Sequence, residues 1–344
     1  MKRIVLAGAG HAHLVVLASL AKNPLYGAAI TLVSPHASEL YSGMVPGVLA
    51  GHYREADASI DVAGLAARAQ CDFIEDKLAG IDAPSRAVTL EGGRRLEYDV
   101  LSLNVGSRVD ASSPGAAQHA VPVKPFENLM RLAPARHVAI AGGGAAGVEL
   151  AMALRHRGVE VTVYSERDAF EGKAAERLRS ALRRRRVDYR RGMRADVLEP
   201  GPVVVSGSAR QAFDLVLWAG GAAPLPLFEK SSLALDERGF VRVDETLCSV
   251  SHPDVMAAGD CAATGEAKNG VHAVRQGRLL ADNLRCLVRG LRPQPYAPRD
   301  KALLIVTCGA RYAIAMRGDW SAEGRWVWWW KNWIDRRWLK ALRP

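Results

Sequence analysis

The chain has 344 residues, 49% of them hydrophobic, and a formal net charge of +10. The length exceeds one ordinary core and suits two globular domains and a tail. The basic balance suits an anionic partner, and it excludes nucleic acid only through the missing recognition module: no basic stretch is interleaved with aromatics before the tail.

Residues 3–7 read as a short buried parallel strand. The glycine-rich loop Gly8-Ala9-Gly10-His11-Ala12-His13 follows, then a helix over 13–22 and a second strand over 29–34. Lys2-Arg3 before an apolar run mimics a signal peptide, but Gly8, Gly10, His11 and His13 interrupt that run, and the strand-and-loop reading explains them. Residues 72–103 alternate charged turns with short strands and predict a β-meander. Ser112-Ser113-Pro114-Gly115 marks a break, and 121–134 is a linker. Residues 138–141, the loop Gly142-Gly143-Gly144-Ala145-Ala146-Gly147, a helix over 147–157 and a strand over 160–164 repeat the opening plan, with short strands to Trp218. From about Asp244 the chain returns to the theme of the first unit, with a strand over 255–258 and a helix over 269–287. The predicted fold is α/β: two Rossmann-like, doubly wound dinucleotide-binding domains, the second inserted in the first, plus a C-terminal module. The divisions are 1–120 with 240–300, then 121–239, then 301–344.

Each loop sits where a strand turns into a helix, so free N–H groups and the positive dipole end face a phosphate. In the first, Gly8 allows the turn and Gly10 a close backbone approach. His13 replaces the third glycine, and Ser34-Pro35-His36 stands where a ribose-binding acid is expected, so a generic tight turn stays open. In the second, Gly142, Gly144 and Gly147 fit GxGxxG, with Glu149 on the same helix. Glu166 favours a ribose 2′-hydroxyl and NADH, whereas Arg167 with Ser165 favours a 2′-phosphate and NADPH. Ala258-Gly259-Asp260 ends a strand with a carboxylate suited to a polyol such as ribityl, or to capping a helix.

The order of these motifs, with Asn104-Val105-Gly106-Ser107 and Trp218-Ala219-Gly220-Gly221, resembles the pyridine nucleotide-disulfide oxidoreductase superfamily over nearly the whole chain. Within it the chain looks most like the branch of type II NADH:quinone oxidoreductases and sulfide:quinone reductases. Tyr41-Ser42-Gly43-Met44-Val45-Pro46-Gly47 is similar to the flavoprotein domain fused to selenophosphate synthetase in some bacteria. The resemblance implies that Gly8, Gly10 and His13 hold the pyrophosphate of FAD and that Asp260 binds its ribityl. Gly142, Gly144 and Gly147 would hold NADH or NADPH, with Gly220 beside them and Glu149 near the nicotinamide–flavin contact. Ser34, Met44, Asn104, Gly106, Gly259, Val271 and His272 complete the candidate FAD set. Asn269-Gly270-Val271-His272-Ala273 opens a helix whose N-terminus would face the flavin. Lys124 could stabilise negative charge on the reduced ring, or it is a linker lysine.

Five cysteines, Cys71, Cys248, Cys261, Cys286 and Cys308, share no CxxC or CxxxxC spacing, so neither a zinc site nor a dithiol relay is expected. An odd number without a secretory signal suits a reducing cytosol. Cys261 and Cys308 are the candidates for a sulfide- or selenide-oxidising alternative, or else small buried apolar residues. A slow redox-sensing protein that binds both dinucleotides is a further reading. No histidine set has metal-site spacing. The run Arg183-Arg184-Arg185-Arg186 with Arg190-Arg191 reads as a solvated face, with a patch facing an anionic membrane as the alternative. In the Trp-rich tail, Trp330, Trp333, Ile334, Trp338 and Leu342 share an arc opposite Asn332, Arg336, Lys340 and Arg343. Such a helix suits a bilayer interface, or docks on the protein or on a second subunit to make a homodimer. The expectation is thus a flavoprotein passing electrons from NAD(P)H to a quinone-like acceptor, peripheral on the inner face of the cytoplasmic membrane.

Overall fold

The computed structural model describes residues 1–298 and 301–343. The expected boundary at residue 300 and the final residue lie outside the described residues. Strand β1 (Lys2–Ala7) ends in the turn at Gly8, helix α1 (His11–Lys22) follows, and β2 (Ala28–Ser34) completes the first unit. Helix α1 starts earlier than predicted because Gly10 takes the N-cap in extended backbone. The stretch expected as one meander divides. Strand β3 (Asp72–Glu75) and strand β7 (Val100–Leu103) flank an antiparallel trio, β4 (Leu78–Asp82), β5 (Ala87–Leu90) and β6 (Arg95–Glu97). Every residue of β7 is buried, as a strand covered on both faces requires, and it pairs in parallel with β1.

The second unit holds β8 (Val121–Pro122), β9 (His137–Ala141), α2 (Ala145–His156), β10 (Glu160–Ser165), α3 (Gly172–Arg184) and β11 (Asp188–Arg191). An antiparallel trio, β12 (Val197–Glu199), β13 (Val203–Ser206) and β14 (Ala209–Ala212), leads to β15 (Leu215–Trp218). Strand β16 (Val255–Ala257) and helix α4 (Gly270–Val288) return to the first unit. The chain ends in antiparallel β17 (Leu304–Thr307), β18 (Ala313–Arg317) and β19 (Trp320–Gly324), and helix α5 (Arg325–Leu342).

The two five-stranded parallel sheets run β16-β7-β1-β2-β3 and β8-β15-β9-β10-β11. Val255 pairs with Leu101, which places the second unit as an insertion in the first. Both sheets carry their glycine loop at the C-terminal end of a central strand, where doubly wound sheets bind ligands.

Helix α5 is docked, and this corrects the arc expected to face a membrane. Leu342 is buried in the first unit's core, where Trp338 packs half-buried; Trp330 and Ile334 are also half-buried. Of that arc only Trp333 is exposed. The buried stripe runs through Val327, Trp328, Asp335, Leu339 and Leu342. A helical wheel weighted by residue type misses it because Asp335 lies at its centre. That carboxylate is neutralised by Lys331 at 2.6 Å and accepts from the Tyr41 hydroxyl at 3.0 Å. The face left outside carries Trp326, Trp329 and Trp333, with Trp320 on β19.

Candidate functional site

One continuous cleft of about 2670 Å³ joins both glycine loops, the Gly259-Asp260 element and the inner face of α5. That exceeds a single small-molecule pocket several-fold. At its first end, Gly8 turns at φ +87° and its N–H bonds Val33 O at 2.8 Å. Helix α1 has no side-chain cap, so the N–H groups of His11 and Ala12 have no partner among the described residues. The third N–H, of His13, is taken by Asn104 Oδ1 at 3.1 Å, and Asn104 Nδ2 donates to Ala258 O at 2.7 Å. Asn104 therefore clasps the first loop to the Gly259-Asp260 element. Gln276 Oε1 reinforces the clasp by accepting from Gly259 N at 2.6 Å.

The second loop repeats the design. Gly142 turns at φ +122°; a Cβ there would meet Ala219 O at 2.2 Å, and one on Gly147 would meet Gly142 O at 1.9 Å. A Cβ on Gly144 would meet nothing within 4 Å. Gly144 is the uncapped N-cap of α2 and lines the cleft, so the space beside it is open to a ligand. Gly220, Glu166 and Arg167 line the same end. Ser165 Oγ donates to Arg167 O at 2.7 Å and accepts from Tyr189 at 3.0 Å, leaving the Glu166 and Arg167 side chains free at the rim.

Between the loops, Lys124 Nζ pairs with Asp260 Oδ2 at 2.7 Å, and Ser107 Oγ donates to the same oxygen at 3.2 Å. Burial opposes ionisation of Asp260, but the Lys124 charge and these hydrogen bonds outweigh it and hold the carboxyl below its ordinary value. Glu149 is held from the C-terminal module: Thr307 donates to Oε1 from its N at 2.8 Å and its Oγ1 at 2.9 Å. Burial raises the Glu149 carboxyl above the usual range, against the opposing pull of Lys331 and Thr307. Lys331 also donates to Gly43 O at 2.6 Å. Thr307, Lys331 and Asp335 carry no site signal in the sequence, and Tyr41 stands out there only as the start of the motif Tyr41–Gly47. Only the i,i+4 spacing of Lys331 and Asp335 hinted at a pair.

Gly10, Gly106, Gly259 and Val271 also line the cleft. Four expected residues do not face it. His13 is fully buried behind the loop, bonded to Gly8 O at 2.6 Å and Ser102 Oγ at 2.8 Å, and burial lowers its pKa to about 4. It packs where the third glycine usually lets helix and strand approach, and it braces the loop from within. Ser34 and Met44 are core residues. His272 turns away to Glu266, at 2.7 Å. The first N–H groups of α4, at Val271 and His272, are capped by Asn269 Oδ1 at 3.0 and 3.1 Å, which leaves that terminus its dipole but fewer free donors. Cys261 and Cys308 are buried, and burial first raises their thiols to about 11 and about 12. Among the described residues no group of three or more His, Cys, Asp or Glu side chains could hold a metal.

Residues 2–277 match the model of the pyridine nucleotide-disulphide oxidoreductase family, and the chain belongs to that family. It is 31% identical over 216 residues to an NADH dehydrogenase-like protein of Mycobacterium tuberculosis, covering 54% of each chain. It thus spans about half the length of that relative. It is 27% identical over 263 residues to ferroptosis suppressor protein 1 of Xenopus tropicalis, covering 69% of each. Its fold is shared with sulfide:quinone oxidoreductase of Aquifex aeolicus, at TM-score 0.82 and 18% identity over 100% of this chain and 92% of the other. It is shared also with NDH2 of Plasmodium falciparum, solved with NADH, at TM-score 0.83 and 13% identity over 99% and 97%.

Proposed function

We propose that the chain is an FAD-dependent NAD(P)H dehydrogenase that passes electrons to a quinone-like acceptor at a membrane face. The observation that carries this is the single cleft bounded by two uncapped helix N-termini, with Lys124–Asp260 and Glu149 between them. The working division is 1–120 with 240–300 for FAD, 121–239 for NAD(P)H and 301–344 for the acceptor side. Bound FAD would supply hydride acceptance and onward electron transfer.

The residues fit that group. Gly8, Gly10 and the free N–H groups of α1 would receive its pyrophosphate. Asp260, kept ionised by Lys124, would accept hydrogen bonds from a polyol. Lys124 would also supply positive charge beside the ring. Gly142, Gly144, Gly147 and the N-terminus of α2 would hold the second dinucleotide, with Gly220 below it. Glu149, protonated more readily than an exposed carboxyl, would hold a proton where the second unit meets the C-terminal module. The relatives named for NADH dehydrogenase activity support the donor side, and the burial of Cys261 and Cys308 weighs against the sulfide- or selenide-oxidising alternative.

No described helix is long and apolar enough to cross a membrane. The proposed membrane contact is the exposed face of Trp320, Trp326, Trp329 and Trp333, where Arg337 lies over the Trp333 ring at 5.3 Å and Arg311 over Trp329 at 5.8 Å. Tryptophan with arginine suits the headgroup level of a bilayer. Anaerobic titration of the purified protein with NADH and then NADPH, followed by a quinone, tests the proposal. Bleaching of a flavin and its return on quinone addition are expected. A colourless protein, or a flavin that neither donor bleaches, would refute it.

A further inference from the structure

One branch of the cleft is lined by side chains that the proposed function leaves without a role. It runs between three helices, over His11 and Leu14 of α1, along Val274 of α4, and under Ile334, Trp338 and Ala341 of α5. It opens beside the first loop, where His11 and Trp338 stack at 6.3 Å with ring planes 5° apart. It reaches Lys22 at the far end of α1, about 16 Å along the helix axis. Its walls are mainly apolar, yet four cations line it: Lys22, Arg275, Arg278 and Arg337. None has a carboxylate partner among the described residues; the one contact of these groups with a ring is that of Arg337 with Trp333. Two buried donors on this lining, Arg275 Nη1 and Trp338 Nε1, have no acceptor among the described residues. Native proteins rarely leave such donors unmet unless a ligand answers them.

We infer that this branch holds an anionic phospholipid, its phosphate on Arg275, Arg278 and Trp338 and an acyl chain against Leu14, Ile334 and Ala341. A neutral acceptor would leave the two buried donors unanswered and would gain nothing from the cations around them. A free phosphate would leave the apolar walls wet. The phosphates of the two dinucleotides are already provided for at the two loops. The inference rests on the reading of the exposed tryptophan face as membrane-facing, since that face adjoins the branch at Trp333.

The test uses the full chain with its flavin and a short-chain phosphatidylglycerol kept monomeric, followed by calorimetry and tryptophan fluorescence. Saturable binding of one lipid per chain is expected, at least tenfold tighter than for short-chain phosphatidylcholine or inorganic phosphate. Arg275→Gln and Arg278→Gln should each weaken it about fivefold, the effect of one cation near a lipid headgroup. Ala341→Trp should abolish binding by filling the walls without changing charge. If that variant loses its flavin, the milder Ala341→Leu carries the same expectation of weakened binding. Equal affinity for the two lipids, equal affinity for inorganic phosphate, displacement of the lipid by a short-chain quinone, or unchanged binding in the wall variants would overturn the inference. Donor bleaching and quinone turnover are measured on the same samples. Lipid binding without quinone turnover would sink the proposed function and leave the lipid site standing.

Discussion

Gly144→Val should separate the two dinucleotide sites in one step. A Cβ at Gly144 meets no protein atom within 4 Å, and the residue is an N-cap with φ −70° and ψ −178°, which a branched side chain tolerates. The fold should therefore survive. The added carbons enter the space in front of the free N–H groups of α2, where the nicotinamide dinucleotide's pyrophosphate would lie. Displacing the phosphate loses about two hydrogen bonds to a charged group, at about 1.5–3 kcal/mol each. The sum, roughly 3–6 kcal/mol, corresponds to an affinity loss on the order of 10²- to 10⁴-fold. Anaerobic titration with NADH, read by flavin absorbance, measures it. The variant should purify yellow, with full flavin content, and bleach only at donor concentrations raised by that factor. Half-saturation within threefold of the wild type would show that the open space at Gly144 is not the phosphate site.

Lys124→Met should reverse the pH response at Asp260. In the wild type the lowered pKa contributes stability that is present above about pH 3.9 and lost as pH falls through the lower folded value. Without Lys124, burial opposes ionisation against weaker help, so the carboxyl shifts upward and the variant loses stability as pH rises from about 4 to 7; parallel wild-type and variant melting curves over that range would exclude the pair as the cause. Replacing all five cysteines with Ala should leave NADH:quinone turnover within about twofold, since burial raises the thiols of Cys71, Cys248, Cys261 and Cys308 and disfavours the reactive thiolate there. Loss of turnover from the Cys308 or Cys261 change alone, with flavin retained, would favour the thiol-dependent alternative. Glu166→Ala should weaken NADH on the order of tenfold and NADPH less, and Arg167→Ala should do the opposite if a 2′-phosphate is bound; equal effects on both donors remove these residues from selectivity. Trp326→Ser, Trp329→Ser and Trp333→Ser should each reduce co-sedimentation with anionic vesicles by roughly tenfold while leaving bleaching by NADH intact. Loss of a dimer instead would make this face a protein interface.

The features legible in the sequence were the local ones. A strand, a glycine turn and a helix are written in consecutive residues, so both loops, the Asn269 cap and the Gly259-Asp260 turn were readable as sites. What the sequence does not carry is direction. Gly10 and Gly144 look alike as letters, but a Cβ on Gly10 would strike Asn104 Oδ1 at 2.5 Å while one on Gly144 enters open space. Valine at Gly10 would therefore disturb the clasp before it met any ligand. His13 occupies a cofactor-motif position and points into the core.

Long-range pairs were invisible for a related reason. Glu149 meets Thr307 and Tyr41 meets Asp335 across 158 and 294 positions of sequence, and no periodicity encodes such a meeting. These pairs decide what the tail is. A wheel that counts tryptophans places Asp335 outside, because an unpaired buried carboxylate is costly. Once Lys331 and Tyr41 satisfy it, the same residue can sit at the centre of the docked stripe, and the helix turns Trp326, Trp329 and Trp333 outward. The tail therefore need not be either a membrane anchor or a structural helix. Its Asp335 stripe closes the cleft beside Glu149, and its opposite stripe is left free to meet a surface. This is why single substitutions at Trp326, Trp329 or Trp333 test the membrane reading, whereas removing the tail would remove Lys331 and Asp335 from the site with it.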